Sequence, residues 1–155
     1  MNAIETIACT SCGTVNRAPA SKLAAGARPA CGQCHQPLFT GEPLEVAAED
    51  EFQDLLAKTS LPVLVDFWAP WCGPCLQMAP HFKTAAQALE PRVRVLKVNT
   101  ESLPGAAQRN GIQSIPTMIL FANGKEIARQ IGAMPAKAIE QWVQQHLPGG
   151  AGHRA

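Results

Sequence analysis

Hydrophobic and polar positions change rhythm along this chain, and each change predicts an element. The densest apolar stretch is Val63 to Trp68, VLVDFW, interrupted only by Asp66. With both faces apolar it predicts a strand buried on both sides, as in the middle of an α/β sheet. VRVLKV at 93 to 98 predicts a second strand. Thr117 to Ala122 and Glu126 to Ile131 flank Asn123 and Gly124, the strongest short signal for a β-hairpin. Helical periodicity takes over elsewhere. Phe52, Leu55 and Leu56 share one stripe in residues 49 to 59, with acids at the start and Lys58 near the end, the polarity a helix dipole favours. A helical pattern from Cys72 to about Leu89 contains Pro80, which should kink it. Leu103 to Gly111 reads as a short helix closed by Asn110 and Gly111, and Pro135 to Leu147 places Ile139, Trp142, Val143 and Leu147 on one face. With LEV at 44 to 46 as a short edge strand, the order is β-α-β-α-β-α-β-β-α. It predicts an α/β fold, a central mixed sheet flanked by helices.

Residues 1–40 do not share this rhythm. They are poor in large apolar side chains and carry Cys9, Cys12, Cys31 and Cys34 in the pattern Cys-x2-Cys-x18-Cys-x2-Cys. A segment so short and so poor in apolar residues needs a staple, and four thiolates around one Zn2+ supply it, because tetrahedral coordination takes two pairs of ligands, each from a tight turn. Two accessory redox dithiols, a disulfide-bridged cap, or His35 in place of one sulfur are the alternatives. The sequence TGEP at 40 to 43 reads as a linker. The chain therefore divides into a zinc-ribbon-like module at 1–40, an α/β domain at 41–147, and a tail at 148–155 expected to be disordered.

At 155 residues the chain can bury one core with an accessory module beside it. Thirteen Lys and Arg against twelve Asp and Glu give a net charge of +1, which does not point to nucleic acid as a partner. No apolar run approaches the roughly eighteen residues that span a bilayer, and the N-terminal residues lack the pattern of an export signal. Six cysteines spaced as three Cys-x-x-Cys pairs suit metal and redox work in a reducing compartment, so a cytoplasmic, membrane-free protein is expected.

The third pair, Cys72 and Cys75, sits where the central strand turns into a helix. Cys72 should feel the unpaired N–H groups and positive dipole end of that helix, which favour a thiolate, while Cys75 lies one turn further in. An exposed attacking sulfur and a sheltered resolving one are what thiol-disulfide exchange requires. A half-site for a metal, or an inert buried pair, is the competing reading. Asp66 in the apolar strand should have its pKa raised toward neutrality and could exchange a proton with Cys75; otherwise it points into a wet pocket and caps a loop. Lys97 could supply the partner charge, or be an ordinary strand-end lysine. Pro116, if cis, would bring the backbone of Ile115 beside the dithiol, where it could pair with an extended chain; in trans it is only a turn device.

DFWAPWCGPC at 66 to 75, SIPT at 114 to 117 and IGA at 131 to 133, preceded by the four-cysteine module, resemble the thioredoxin family, in its two-domain zinc-binding bacterial form. The resemblance implies a thioredoxin-like fold and a protein-disulfide reductase. It implies Cys72 as nucleophile, Cys75 as resolving thiol, Asp66 as buried proton-transfer group with Lys97 beside it, and Pro116 as a cis proline. Trp71, Gly73, Pro74, Ile115, Pro116, Gly132 and Ala133 would form the docking surface. Reduction by an NADPH-dependent thioredoxin reductase, disulfide-containing cytoplasmic client proteins and a monomeric state are further implications. Leu76 departs from the family, standing where a basic residue is frequent. A zinc-dependent partner-binding or redox-sensor protein, with the reductase fold as accessory, is the alternative function. An isomerase or oxidase is a weaker one within the same chemistry, since it calls for a more oxidising compartment.

Overall fold

The computed structural model describes residues 3–147; the tail expected at 148–155 lies outside the described residues. Nine elements follow the expected order from residue 44 onward: β3 (Leu44–Glu45), α2 (Glu49–Lys58), β4 (Val63–Trp68), α3 (Gly73–Leu89), β5 (Arg94–Asn99), α4 (Pro104–Arg109), β6 (Thr117–Ala122), β7 (Lys125–Ile131) and α5 (Ala136–His146). The sheet order is β3-β5-β4-β6-β7, with β3, β5 and β4 parallel and β6 and β7 antiparallel to their neighbours. Because β4 is central, alternate side chains of its run must enter two different cores. Val63, Val65 and Phe67 pack with Phe52 and Leu55 of α2, with Leu103 at the start of α4 and with Ala106 within it. Leu64 packs on the other face with Met78, Phe82 and Leu89 of α3 and with Ile139, Trp142 and Val143 of α5. Asn123 and Gly124 both have positive φ, 52° and 78°, the conformation that a two-residue hairpin turn demands. Helix α3 runs through Pro80 to Leu89.

The first forty residues hold more structure than their composition suggested. β1 (Ile4–Ala8) and β2 (Val15–Pro19) form an antiparallel pair, and α1 (Ala20–Ala24) follows. A small core exists here: Ile7, Leu23, Leu38 and Phe39 pack with Cys9, Cys31 and, from the linker before β4, Leu61. The expectation that only a metal staple organises this segment is therefore incomplete, because the larger domain lends it apolar and polar partners. The amide of Ser60 donates to Thr6 O at 2.9 Å, Thr6 N donates to Ser60 Oγ at 2.8 Å, and Ala8 N donates to Thr59 Oγ1 at 3.2 Å.

Arg94, at the start of β5 and only 3% exposed, completes the junction. Its guanidinium donates to Leu38 O at 2.7 Å and Ala8 O at 3.2 Å and lies 4.4 Å from the ring centre of Phe39. Glu90, also buried, accepts from Gly41 N at 2.9 Å, and burial pushes its carboxyl up while Arg94 and Arg28 oppose the shift. These contacts hold the module against the N-terminal ends of β4 and β5. The dithiol follows the C-terminal end of β4, so the junction with the module and the dithiol lie at opposite ends of that strand.

Candidate active site and metal centre

β4 ends at Trp68, and Ala69 to Trp71 turn the chain into α3. Cys72 is the N-cap of α3, in extended conformation, with its Sγ accepting the amide of Cys75 at 3.2 Å. Pro74 fits the first turn, where a missing N–H costs nothing. Cys72 and Cys75 are joined as a disulfide, with Cα atoms 5.2 Å apart. The contrast expected between an exposed and a sheltered sulfur is narrow in this oxidised state: Cys72 is 5% exposed and Cys75 2%. The reason is the cluster around them, in which Ala69, Trp68 and Ile115 cover both residues.

Ile115–Pro116 is a cis peptide, and Ile115 O lies 3.7 Å from Cys72 Sγ. Pro116 O accepts from Gly132 N at 2.9 Å, so the β6 entry and the end of β7 are tied together beside the dithiol. Around it, Trp71 is 67% exposed, and Leu76 and Ile131 are exposed as well. Gly73, Pro74 and Ala133 are open to solvent, Ile115 and Gly132 partly so, and Pro116 is buried. Trp71 donates its indole N–H to Glu101 Oε2, which fixes the ring while leaving its face outward.

Asp66 is 1% exposed, and neither carboxylate oxygen has a hydrogen-bond partner among the described residues. It shares the α3-facing side of β4 with Leu64, two positions back. Burial pushes its carboxyl up to about 7, against the pull of Lys97, with Glu45 adding to the rise. Lys97 is its direct neighbour on β5 and lies with Nζ 4.4 Å from the centre of the Trp68 ring. The wet-pocket alternative for Asp66 does not describe a group buried to this degree.

At the other pole, the four sulfurs of Cys9, Cys12, Cys31 and Cys34 lie within 4.8 Å of one another. The close contacts run between the two pairs, Cys9 to Cys34 at 3.6 Å and Cys12 to Cys31 at 3.7 Å. A zinc tetrahedron with bonds of about 2.3 Å has sulfur–sulfur edges of about 3.8 Å, so the cluster fits that ion. Donors point at the sulfurs: Ser11 N to Cys9 at 3.3 Å, Gln33 N to Cys31 at 3.4 Å, and Asn16 Nδ2 to Cys31 at 3.4 Å. Hydrogen bonds from the Cys34 backbone first, then Asn16, bring the Cys31 thiol down to about 6, whereas the Cys34 thiol, despite the hydrogen bond from the Gln36 backbone, is pushed up by burial and the neighbouring sulfurs, so the crowded sulfurs share their protons unevenly. His35 is exposed and stands outside the cluster.

Several working residues were not singled out in the sequence. Trp68 was legible in principle, since it follows Asp66 by two and so shares its face. Glu45, Asn16 and Arg94 depend on strand pairings and on the docking of the module, for which no local signal exists.

A cis proline beside a helix-capping disulfide, on a mixed five-stranded sheet with a buried carboxylate below it, defines a thiol-disulfide oxidoreductase of thioredoxin-like fold. The Thioredoxin family model matches residues 43–145, and the model described as Thioredoxin 2, N-terminal, a zinc ribbon, matches residues 8–36. The chain is 44% identical over 141 residues to Thioredoxin C-3 of Corynebacterium nephridii, covering 91% of this chain and 94% of that protein. It is 41% identical to Thioredoxin 1 of a Nostoc species over 99 residues, 64% of this chain and 92% of the relative. Among solved structures, the thioredoxin of Malassezia sympodialis superposes with a TM-score of 0.63 at 29% identity, over 74% of this chain and 98% of that one. The chain belongs to the thioredoxin family, with a zinc-ribbon domain ahead of the thioredoxin domain, and is a protein-disulfide reductase. No helix among the described residues is long and apolar enough to cross a membrane.

Proposed function

We propose that the Cys72/Cys75 pair reduces disulfides in cytoplasmic client proteins and is itself re-reduced by an NADPH-dependent thioredoxin reductase, the chain acting as a monomer. In the reduced protein the Cys72 thiolate attacks one sulfur of the client disulfide. The client S–S bond breaks, a Cys72–client disulfide forms, and the departing client thiolate takes a proton from water. Cys75 then gives its proton to Asp66 and attacks Cys72 Sγ. The bond to the client breaks, the second client thiolate leaves and is protonated in turn, and the Cys72–Cys75 disulfide remains. Two electrons have passed from dithiol to client.

The observation that carries this reading is the position of Cys72: its sulfur caps α3, accepts the Cys75 amide, and stands beside the Ile115 carbonyl. An extended client segment laid along Ile115 and Pro116 would meet the sulfur there, with Trp71, Gly73, Pro74, Gly132 and Ala133 forming the rest of the docking surface. Lys97 would stabilise the ionised Asp66 that is ready to accept the proton of Cys75. Residues 1–40 act as the ribbon, in which Cys9, Cys12, Cys31 and Cys34 would hold one Zn2+ that cross-links the two turns, and residues 41–147 act as the reductase. The Cys72→Ser variant should lose insulin reduction with dithiothreitol; turnover at the wild-type rate would overturn the assignment.

A redox-sensor role for the ribbon has one observation in its favour, the exposure of Cys12. Peroxide should then release zinc at concentrations that leave turnover by the Cys72/Cys75 pair intact.

A further inference from the structure

Glu45, on the short edge strand β3, stands opposite Lys97 of β5, and Lys97 stands opposite Asp66 of β4. Directly paired residues of adjacent strands point to one side of a sheet, so an acid, a base and an acid form one row across three strands. Trp68, two residues beyond Asp66 on the same side, spans this row: its Nε1 donates to both carboxylate oxygens of Glu45, at 3.1 and 3.2 Å, and its ring lies under the Lys97 ammonium. The same indole packs against the Cys72 and Cys75 cluster. Glu45 therefore holds the indole that packs on the dithiol, and its carboxylate acts through space on Lys97 and Asp66 along the row.

We propose that Glu45 is a positioning residue for disulfide exchange, which anchors Trp68 and shares the charge of Lys97 with Asp66, and thereby governs how readily Asp66 takes the proton of Cys75. This rests on the reading of Asp66 as proton acceptor. Standing across from Lys97 on the neighbouring strand, the Glu45 carboxylate offsets part of the positive field that would otherwise favour ionised Asp66, so Asp66 stays protonated to a higher pH. The other groups facing these three are few. Met118, opposite Asp66 on β6, is uncharged; α3 brings the Cys72/Cys75 pair and Lys83, and Lys83 is paired with Glu42 at 3.6 Å in the cavity that Lys97 also lines.

The test is the reaction of the reduced protein with 5,5′-dithiobis(2-nitrobenzoate), whose second burst of coloured thiolate reports the attack of Cys75 on the mixed disulfide. Its rate is followed across neutral pH together with the carboxyl titration of Asp66 by NMR. Glu45→Gln keeps an acceptor for Trp68 but removes the charge, and should move both midpoints down by roughly 0.3–0.5 pH unit, a size set by solvent screening at an exposed edge strand. Glu45→Asp, which keeps the charge, should restore the wild-type midpoint. Unmoved midpoints in Glu45→Gln, with pH dependence abolished in Asp66→Asn, would overturn the role of Glu45 while leaving that of Asp66. A moved carboxyl titration with an unmoved rate profile would also overturn it. A rate profile unchanged in Asp66→Asn would remove the reading on which it rests.

Discussion

Cys72-Gly-Pro-Cys75 and Cys9-Thr-Ser-Cys12 share a spacing but face different neighbours. The former starts a seventeen-residue helix, and its sulfurs meet each other. The latter occupies a turn after β1, where each sulfur approaches one from Cys31 or Cys34 instead. A helix start offers amides and a dipole that stabilise one thiolate, and leaves that sulfur with its own partner one turn away. A turn aims both sulfurs the same way, and a second turn opposite completes a tetrahedron. The same three-residue offset thus becomes an electron carrier or a metal clamp according to the backbone that presents it.

The contrast is sharpest in cysteine variants. Cys75→Ser should lower multiple-turnover reduction by about a thousandfold, because the mixed disulfide is no longer resolved, and should accumulate client adducts visible by mass spectrometry. Cys12→Ser should leave turnover within a few fold of wild type while lowering zinc content. Equal losses of activity in the two would erase the division of labour.

Next in size is the junction. Arg94→Ala leaves two carbonyls and Glu90 without their buried cationic partner and should cost roughly 3 kcal/mol of stability, read by denaturant unfolding. The dithiol lies at the far end of the strands, so the folded variant should still reduce insulin. Lost activity in a folded Arg94→Ala protein would show that the module supports the site from a distance.

Asp66 sets a comparable effect with a pH signature. Its pKa is raised from 3.8 to about 7, so the folded protein resists its ionisation; the stability present below pH 4 declines as pH rises through 7. Asp66→Asn should therefore be more stable than wild type at pH 8 by roughly 3 kcal/mol, with the gap closing toward pH 4. A gap independent of pH would mean the carboxylate is not strained by burial. The smallest change is expected for Trp71→Ala, which removes the exposed ring proposed to dock clients and should raise KM for insulin a few fold, about 1 kcal/mol, with kcat little altered.

Much of this was legible in residue order. The two-sided apolar run at 63 to 68 places β4 in the sheet centre, Asn123-Gly124 fixes the hairpin, and Asp66 stands out because a carboxylate has no cheap place in such a strand. Local patterns failed in the first forty residues. Ile7, Leu23, Leu38 and Phe39 are too scattered to show a period, and their core closes only with Leu61 from the far side of α2.

Neighbours along the chain were enough to set the three cysteine pairs, the order of elements from residue 44 onward and the conflict at Asp66. Which sulfurs meet, the riveting of the ribbon to the sheet by Arg94, and the single row of Glu45, Lys97 and Asp66 arise only on folding. Those relations rest on strand register and on packing between segments some twenty to ninety residues apart, where through-space distance, not sequence spacing, sets the interaction energy.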